Sequence, residues 1–209
     1  MSHRGRLRRL QGIPVGEDAV MTPSSTARIP LDPPRTLVTR AVDWYSRRTF
    51  GATLTPAAAM GHHPRLLVTQ LRHEQALARW DRLDPTLKTL AVMSAAVTVG
   101  CSWCVDFGYW VTVQEGIDPA KLRAVPTWRD SDELTDLERR VVEYAEAMST
   151  TPMGVTDEMV AGLRRDLDDA ALVELTTMVA VENSRARANS ALGLHSQGFR
   201  DRCELPARA

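Results

Sequence analysis

From residue 36 onward apolar positions recur at helical spacing, and no stretch alternates apolar and polar residues as a half-buried strand does. The pattern predicts a helix over 37–49. A second starts after the His62-His63-Pro64 corner and runs towards Trp80, with Leu66, Leu67, Leu71 and Leu77 among its apolar positions. Both read as covering elements. Asp84-Pro85 starts the next helix, Asp as N-cap and Pro at the first helical position, and its body over 87–99 is apolar nearly all round, as a central helix is. Gly100 ends it immediately before Cys101, and a new helix over 101–115 stops at Gly116. Asp118-Pro119 opens a short helix. Thr135 and Glu138 form a capping box ahead of Leu137, Val141, Tyr144, Ala145 and Met148 on one face. Val155 precedes the cap Thr156 and staples onto Val160. Asp168 or Asp169 caps a long helix through Leu172, Leu175 and Val179 to about Asn189, stopped near Gly193. The predicted fold class is all-α.

Residues 1–36 differ in composition. Pro14, Pro23, Pro30, Pro33 and Pro34 among Ser, Thr, Gly and Arg sustain neither helix nor ladder bonding. We divide the 209 residues into a flexible N-terminal tail (1–36), one helical domain (37–200) and a C-terminal tail (201–209). Met21 offers a second translation start. Lys and Arg number 26 and Asp and Glu 26, so no charge surplus argues for nucleic acid; the one basic run, MSHRGRLRRL, reads as a solvated tail. No apolar run reaches the roughly 20 residues that cross a bilayer, and none after Arg9 serves as a secretory core. We expect no membrane partner and a cytoplasmic location.

Of the three cysteines, Cys101 and Cys104 form a C-x-x-C pair at a helix start. A helix N-terminus favours negative charge and so lowers a thiol pKa. Three residues apart on a helix, the two sulfurs share a face, close enough for one to attack a substrate and the other to resolve the product as a disulfide. Cysteines on an apolar helix also serve plain packing, and that reading stays open. A metal needs more ligands than the pair, and His195 with Cys203, or His62, His63 and His73, form no ligand motif. No metal or other cofactor is expected. Cys203, in RDRCELPARA, reads as an exposed unpaired thiol.

The apolar helix leading into GCSWC, then EGIDPAKL, LTDLERRVVEYAEAMS and ENSRARANSALG, resembles the alkylhydroperoxidase D / carboxymuconolactone decarboxylase superfamily over 83–199. The resemblance implies an AhpD-like all-helical subunit that assembles as a trimer or hexamer. It implies a dithiol that reduces a peroxide or another small-molecule substrate, with electrons from a donor protein. Within it Cys104 matches the attacking thiol and Cys101 the resolving one. The redox branch also places a histidine four residues after the second cysteine and a glutamate twelve before the first; here stand Gly108 and Thr89. Neither supplies a group that titrates near neutral pH.

A group from another helix has room to fill that space, and Glu174, Arg187 and His195 are the candidates. Glu174 lies between apolar neighbours, which suggests a buried carboxylate with a partner, and Arg187 is a candidate for that partner or for an anion. Asp106 falls two residues after Cys104, on nearly the opposite side of the helix, and reads as a surface or supporting carboxylate. Trp103 and Tyr109 flank the dithiol and are candidates for lining an apolar pocket. The leading reading is a thiol-dependent peroxidase or disulfide oxidoreductase. A noncatalytic or redox-sensing helical oligomer, and a lactone decarboxylase-like lyase, are the alternatives.

Overall fold

Helix α4 (Pro85–Val99) is the axis around which the others pack. Most of its apolar side chains are buried, Leu87, Leu90, Ala91, Met93, Ala95 and Ala96 among them, while Val92, Val97 and Val99 are half-buried. Such a helix needs neighbours on several sides. They are α7 (Asp136–Ser149), α9 (Asp169–Ala191) and α5 (Ser102–Gln114). The computed structural model describes residues 27–204; the expectations for the first 26 residues, including the Met21 start, lie outside them. Among the described residues there are helices and no strand, an all-α fold.

Chain order begins with α1 (Leu37–Phe50), α2 (Thr55–Met60) and α3 (Pro64–Leu77), which pack on one another. After α4 and α5 come α6 (Pro119–Ala124) and a 3-10 turn, Val125–Asp130. Then α7, α8 (Asp157–Leu163), α9 and the single turn α10 (Asp201–Glu204) complete the set. Caps explain the starts. Asp84 accepts the N–H groups of Thr86 and Leu87, the Thr135–Glu138 box is closed in both directions, and Asp168 accepts from Ala171 N–H. Three elements went unread in the sequence: α2, the 3-10 turn and α10. Helix α3 covers one side of the fold, burying Leu67 and Leu77 and leaving Leu66 and Leu71 exposed.

One core joins α4, α7, α8 and α9 through Leu87, Ala91, Val141, Ala145, Leu163, Leu175 and Val179. Truncating Leu175, which has no exposed surface, would cost about 2–5 kcal/mol. Helices α4 and α9 run in the same direction. Near their starts Glu174 accepts the N–H groups of Arg82 (2.8 Å) and Leu83 (3.3 Å) and pairs with Lys88 Nζ at 2.5 Å. At their far ends Asn189 meets the residues that follow α4. This register sets the site.

The ends of the described chain are docked. Arg28 N–H donates to Leu192 O (2.8 Å) and its guanidinium to Ala191 O (2.8 Å), so residues 27–36, grouped from sequence with the tail, begin against the end of α9. In α10, Cys203 is half-buried against Leu90, Tyr109 and their neighbours; it is a free thiol but not the exposed one expected, because the turn folds back onto α5.

Candidate active site

Gly100 ends α4 with φ of 77°, a left-handed conformation that a residue with a side chain adopts only under strain. That turn sends the chain directly into α5, with Cys101 as its N-cap. The Cys101 sulfur accepts the backbone N–H of Cys104 at 3.2 Å, the place a Ser or Asp oxygen ordinarily takes. With Cα atoms 5.3 Å apart, the two cysteines are joined as a disulfide.

The pair sits in an apolar cluster with Ala96, Trp103 and Ala186, flanked by Leu54, Val99, Val105 and Phe107. Cys101 is 2% exposed and Cys104 8%. Burial among apolar groups raises a thiol pKa, whereas a helix N-terminus lowers it, so whatever else touches the sulfurs decides the balance. Among the described residues one polar side chain does. Buried Asn189 on α9 places Nδ2 3.5 Å from Cys104 Sγ and 4.0 Å from Cys101 Sγ.

An open hollow of about 390 Å³ borders the disulfide on the Cys101 side, lined by Val97, Val105, Ser102, Ser196 and Arg200 among others. Its rim is the loop after α9. Asp106, buried in α5, accepts the N–H groups of Gln197 (2.8 Å), Phe199 (3.1 Å) and Arg200 (2.8 Å). Burial alone would push its carboxyl up, but the N–H groups of Arg200, Phe199 and Gln197 outweigh it and hold the pKa below the usual value. Asp106 is thus no surface carboxylate; it fastens the rim. Gln197 extends the same fastening: its Oε1 accepts from Trp103 Nε1 (2.8 Å) and Thr55 N–H (3.0 Å), and its Nε2 donates to Thr53 O (2.9 Å).

The other sequence candidates fall elsewhere. Glu174 is committed to Lys88 and the Arg82–Leu83 backbone, not to Arg187, and burial, which raises its pKa, is outweighed by Lys88 and those N–H groups. Fifteen residues of α9, about 22 Å at 1.5 Å per residue, separate it from Asn189. Arg187 is exposed and donates to Ser149 O and Thr151 Oγ1. His195 is exposed on the rim, next to Ser196. Trp103 packs with the cysteines, but Tyr109 is buried on the other side of α5, where its hydroxyl accepts from Arg123 at 3.1 Å. Among the described residues no group of His, Cys, Asp or Glu side chains gathers as a metal site requires.

Asn189 was missed. It continues the buried stripe of α9 through Leu175, Val179, Glu182 and Ala186, and a polar residue on such a stripe is the signal that finds it.

A sequence model described as the carboxymuconolactone decarboxylase family matches residues 64–147, which run from α3 through most of α7. The uncharacterized protein YnjA of Escherichia coli (strain K12) is 34% identical over 173 residues, covering 82% of this chain and 93% of YnjA. The chain belongs to the carboxymuconolactone decarboxylase family. Solved structures share the family's fold at lower identity. The debrominase Bmp8 superposes with a TM-score of 0.69 at 20% identity, covering 80% of this chain and 96% of Bmp8. A cysteine-to-alanine variant of Bmp8 has been solved in complex with 2,3,4-tribromopyrrole. An uncharacterized peroxidase-related protein from Silicibacter sp. TM1040 gives 0.72 at 15% identity, over 86% and 97% of the two chains. An uncharacterized peroxidase-related protein from Ralstonia eutropha JMP134, described as an alkylhydroperoxidase AhpD core, gives 0.71 at 14%, over 85% and 96%. The family is named for a decarboxylase, and Bmp8, which shares the fold, is a debrominase. Among the described residues no helix is long and apolar enough to cross a membrane.

Proposed function

We propose that the chain is a thiol-dependent oxidoreductase whose Cys101–Cys104 pair cycles between dithiol and disulfide while reducing a peroxide. The observation that carries this reading is the disulfide itself: it is capped on the N-terminus of α5, contacted by a buried amide and bordered by an open hollow. A pair kept only for packing needs none of these.

In the oxidative half, Cys104 thiolate attacks the outer peroxide oxygen and the O–O bond breaks. The alcohol or water leaves with one proton, and Cys104 becomes a sulfenic acid. Cys101 then attacks that sulfur, water leaves, and the disulfide closes. Two electrons from a donor protein restore the dithiol. With Thr89 and Gly108 at the family's relay positions, the leaving oxygen takes its proton from solvent. Val97 and Val105 give the hollow apolar walls for an organic hydroperoxide, with the charged Asp106, Arg200 and Asp201 beside them. A cytoplasmic homo-oligomer belongs to the same reading.

The test is peroxide consumption by reduced Cys203→Ser protein, with mass-spectrometric mapping of the product. Formation of the Cys101–Cys104 bond, with consumption lost in Cys104→Ser and a trapped Cys104 sulfenic acid in Cys101→Ser, supports the proposal. Equal activity in both variants removes the dithiol from the mechanism. A disulfide that forms on peroxide without turnover leaves a redox sensor, and a pair that stays reduced leaves a noncatalytic oligomer.

The fold shared with Bmp8 supports a second reading, in which the same dithiol takes a halogenated aromatic as its two-electron acceptor. Halide release from 2,3,4-tribromopyrrole with disulfide formation separates it from the first.

A further inference from the structure

Asn189 is a buried amide whose Nδ2 faces the two cysteine sulfurs. A disulfide sulfur is a weak acceptor, so an N–H group aimed at it gains little while the pair is oxidised. An anionic sulfur is different: a hydrogen bond to a charged group contributes more than one between neutral groups. The contact is also unequal. Nδ2 lies 3.5 Å from Cys104 Sγ but 4.0 Å from Cys101 Sγ, and of the two cysteines it is Cys101 that lines the hollow, although both are buried, 2% exposed for Cys101 and 8% for Cys104.

We infer that Asn189 is the donor that holds Cys104 as a thiolate, and that reducing thiols enter by the hollow and attack Cys101. Resting on the reading of the pair as a working dithiol, this assigns the reductive half of the cycle. A donor thiolate attacks Cys101 Sγ, the Cys101–Cys104 bond breaks, and Cys104 leaves with the electron pair as a thiolate that accepts the Asn189 N–H. A second donor thiolate attacks the sulfur of the first donor in the mixed disulfide, releasing Cys101 thiolate and the donor disulfide. The better leaving group is the sulfur whose negative charge is stabilised, so Asn189 fixes which bond end the donor attacks. The same hydrogen bond then keeps Cys104 ionised for its next oxidant. It substitutes on α9 for the histidine that Gly108 replaces on α5.

Two measurements test this, and neither uses peroxide. First, oxidised Cys203→Ser protein is treated briefly with 2-mercaptoethanol, quenched with N-ethylmaleimide and mapped by mass spectrometry. The mercaptoethanol adduct is expected on Cys101 with maleimide on Cys104; the reverse placement, or an even split, overturns the assignment. Second, Cys104 is left as the sole thiol in Cys101→Ser/Cys203→Ser protein, where the introduced serine hydroxyl still caps α5. The pH dependence of its alkylation by iodoacetamide is compared with Asn189→Leu, which keeps the volume without the donor. Asn189→Leu should raise the titration midpoint by about one unit, giving roughly ten-fold less thiolate at pH 7. Asn189→Asp, of the same shape but negative, should raise it at least as far, and carries the test if the Leu variant does not fold. Unchanged midpoints reduce Asn189 to a packing residue. A protein that passes both measurements yet consumes no peroxide loses the peroxidase reading and keeps this one; the opposite result loses this one alone.

Discussion

Glu182 and Arg185 pair one turn apart on α9, with Arg185 Nη1 3.2 Å from Glu182 Oε2. The arginine is shared: its Nε and Nη2 donate to Glu74 of α3. Glu182 Oε1 is buried with no hydrogen-bond partner among the described residues. Burial raises the Glu182 pKa to about 7, lifted further by Glu74 and only partly opposed by Arg185.

That pKa sets a pH dependence. Between the ordinary carboxyl value and about 7 the folded state holds a proton that the unfolded chain has lost, so stability falls as pH rises through this window. Glu182→Gln removes the titration and keeps the shape. Its advantage over the parent should be smallest at pH 4.5 and grow by no more than about 1.4 kcal/mol per pH unit up to pH 7. Urea unfolding across that range checks it; a difference independent of pH would contradict the assignment.

Asp106 has the opposite sign. Its depressed pKa contributes stability that is present above the ordinary Asp value and is lost as pH falls through the folded value. Asp106→Asn keeps one carbonyl oxygen for three N–H donors, so we expect a loss of about 1–3 kcal/mol at pH 7. Because the released rim borders the hollow, the disulfide should also be reduced faster by a small thiol. Equal reduction rates in the two proteins would show that the rim does not limit access.

The helical frame was legible because its signals are local. Asp84-Pro85, the Thr135–Glu138 box and Gly100 each act within one turn, and the all-round apolar body of α4 marked it as central before its neighbours were known. Helix α2 escaped because its six residues, TPAAAM, are too few for a period to show. The dithiol was legible for the same local reason. Its surroundings were not: Asn189 and Cys104 are 85 positions apart, and Asp106 meets its donors across 91 to 94. Such contacts exist only once α9 has docked along α4. Glu174 shows the limit from the other side: a buried carboxylate with a partner was expected, with Arg187 as the candidate, and the partner is Lys88, set by the shared direction of the two helices.

Helix α1 turns Leu37, Trp44 and Tyr45 outward, 84%, 65% and 56% exposed, on one face by their spacing. A face of that kind on an enzyme subunit is expected to be covered by another copy. If a second copy covers this face, Trp44→Glu with Tyr45→Glu should lower the light-scattering mass to that of a 23.2 kDa monomer without loss of helical circular dichroism. An unchanged mass would place the contact on another face.

Gly108 permits a direct test of the missing relay. It lies one turn after Cys104, inside α5, and a Cβ there would meet only the flexible end of Met93, its Cε at 3.4 Å. Gly108→Ala should therefore be tolerated and gain up to about 1 kcal/mol from helix propensity. Gly108→His restores the family's histidine one turn from Cys104 Sγ. If slow protonation of the leaving oxygen limits the parent, peroxide consumption should rise about ten-fold or more, since a positioned acid typically contributes at least 10²-fold. The gain should follow a titration near the histidine pKa of about 6.5. A folded Gly108→His protein with an unchanged rate and pH profile would mean that proton delivery does not limit turnover, and would move the limiting step to reduction of the disulfide, where Asn189 acts.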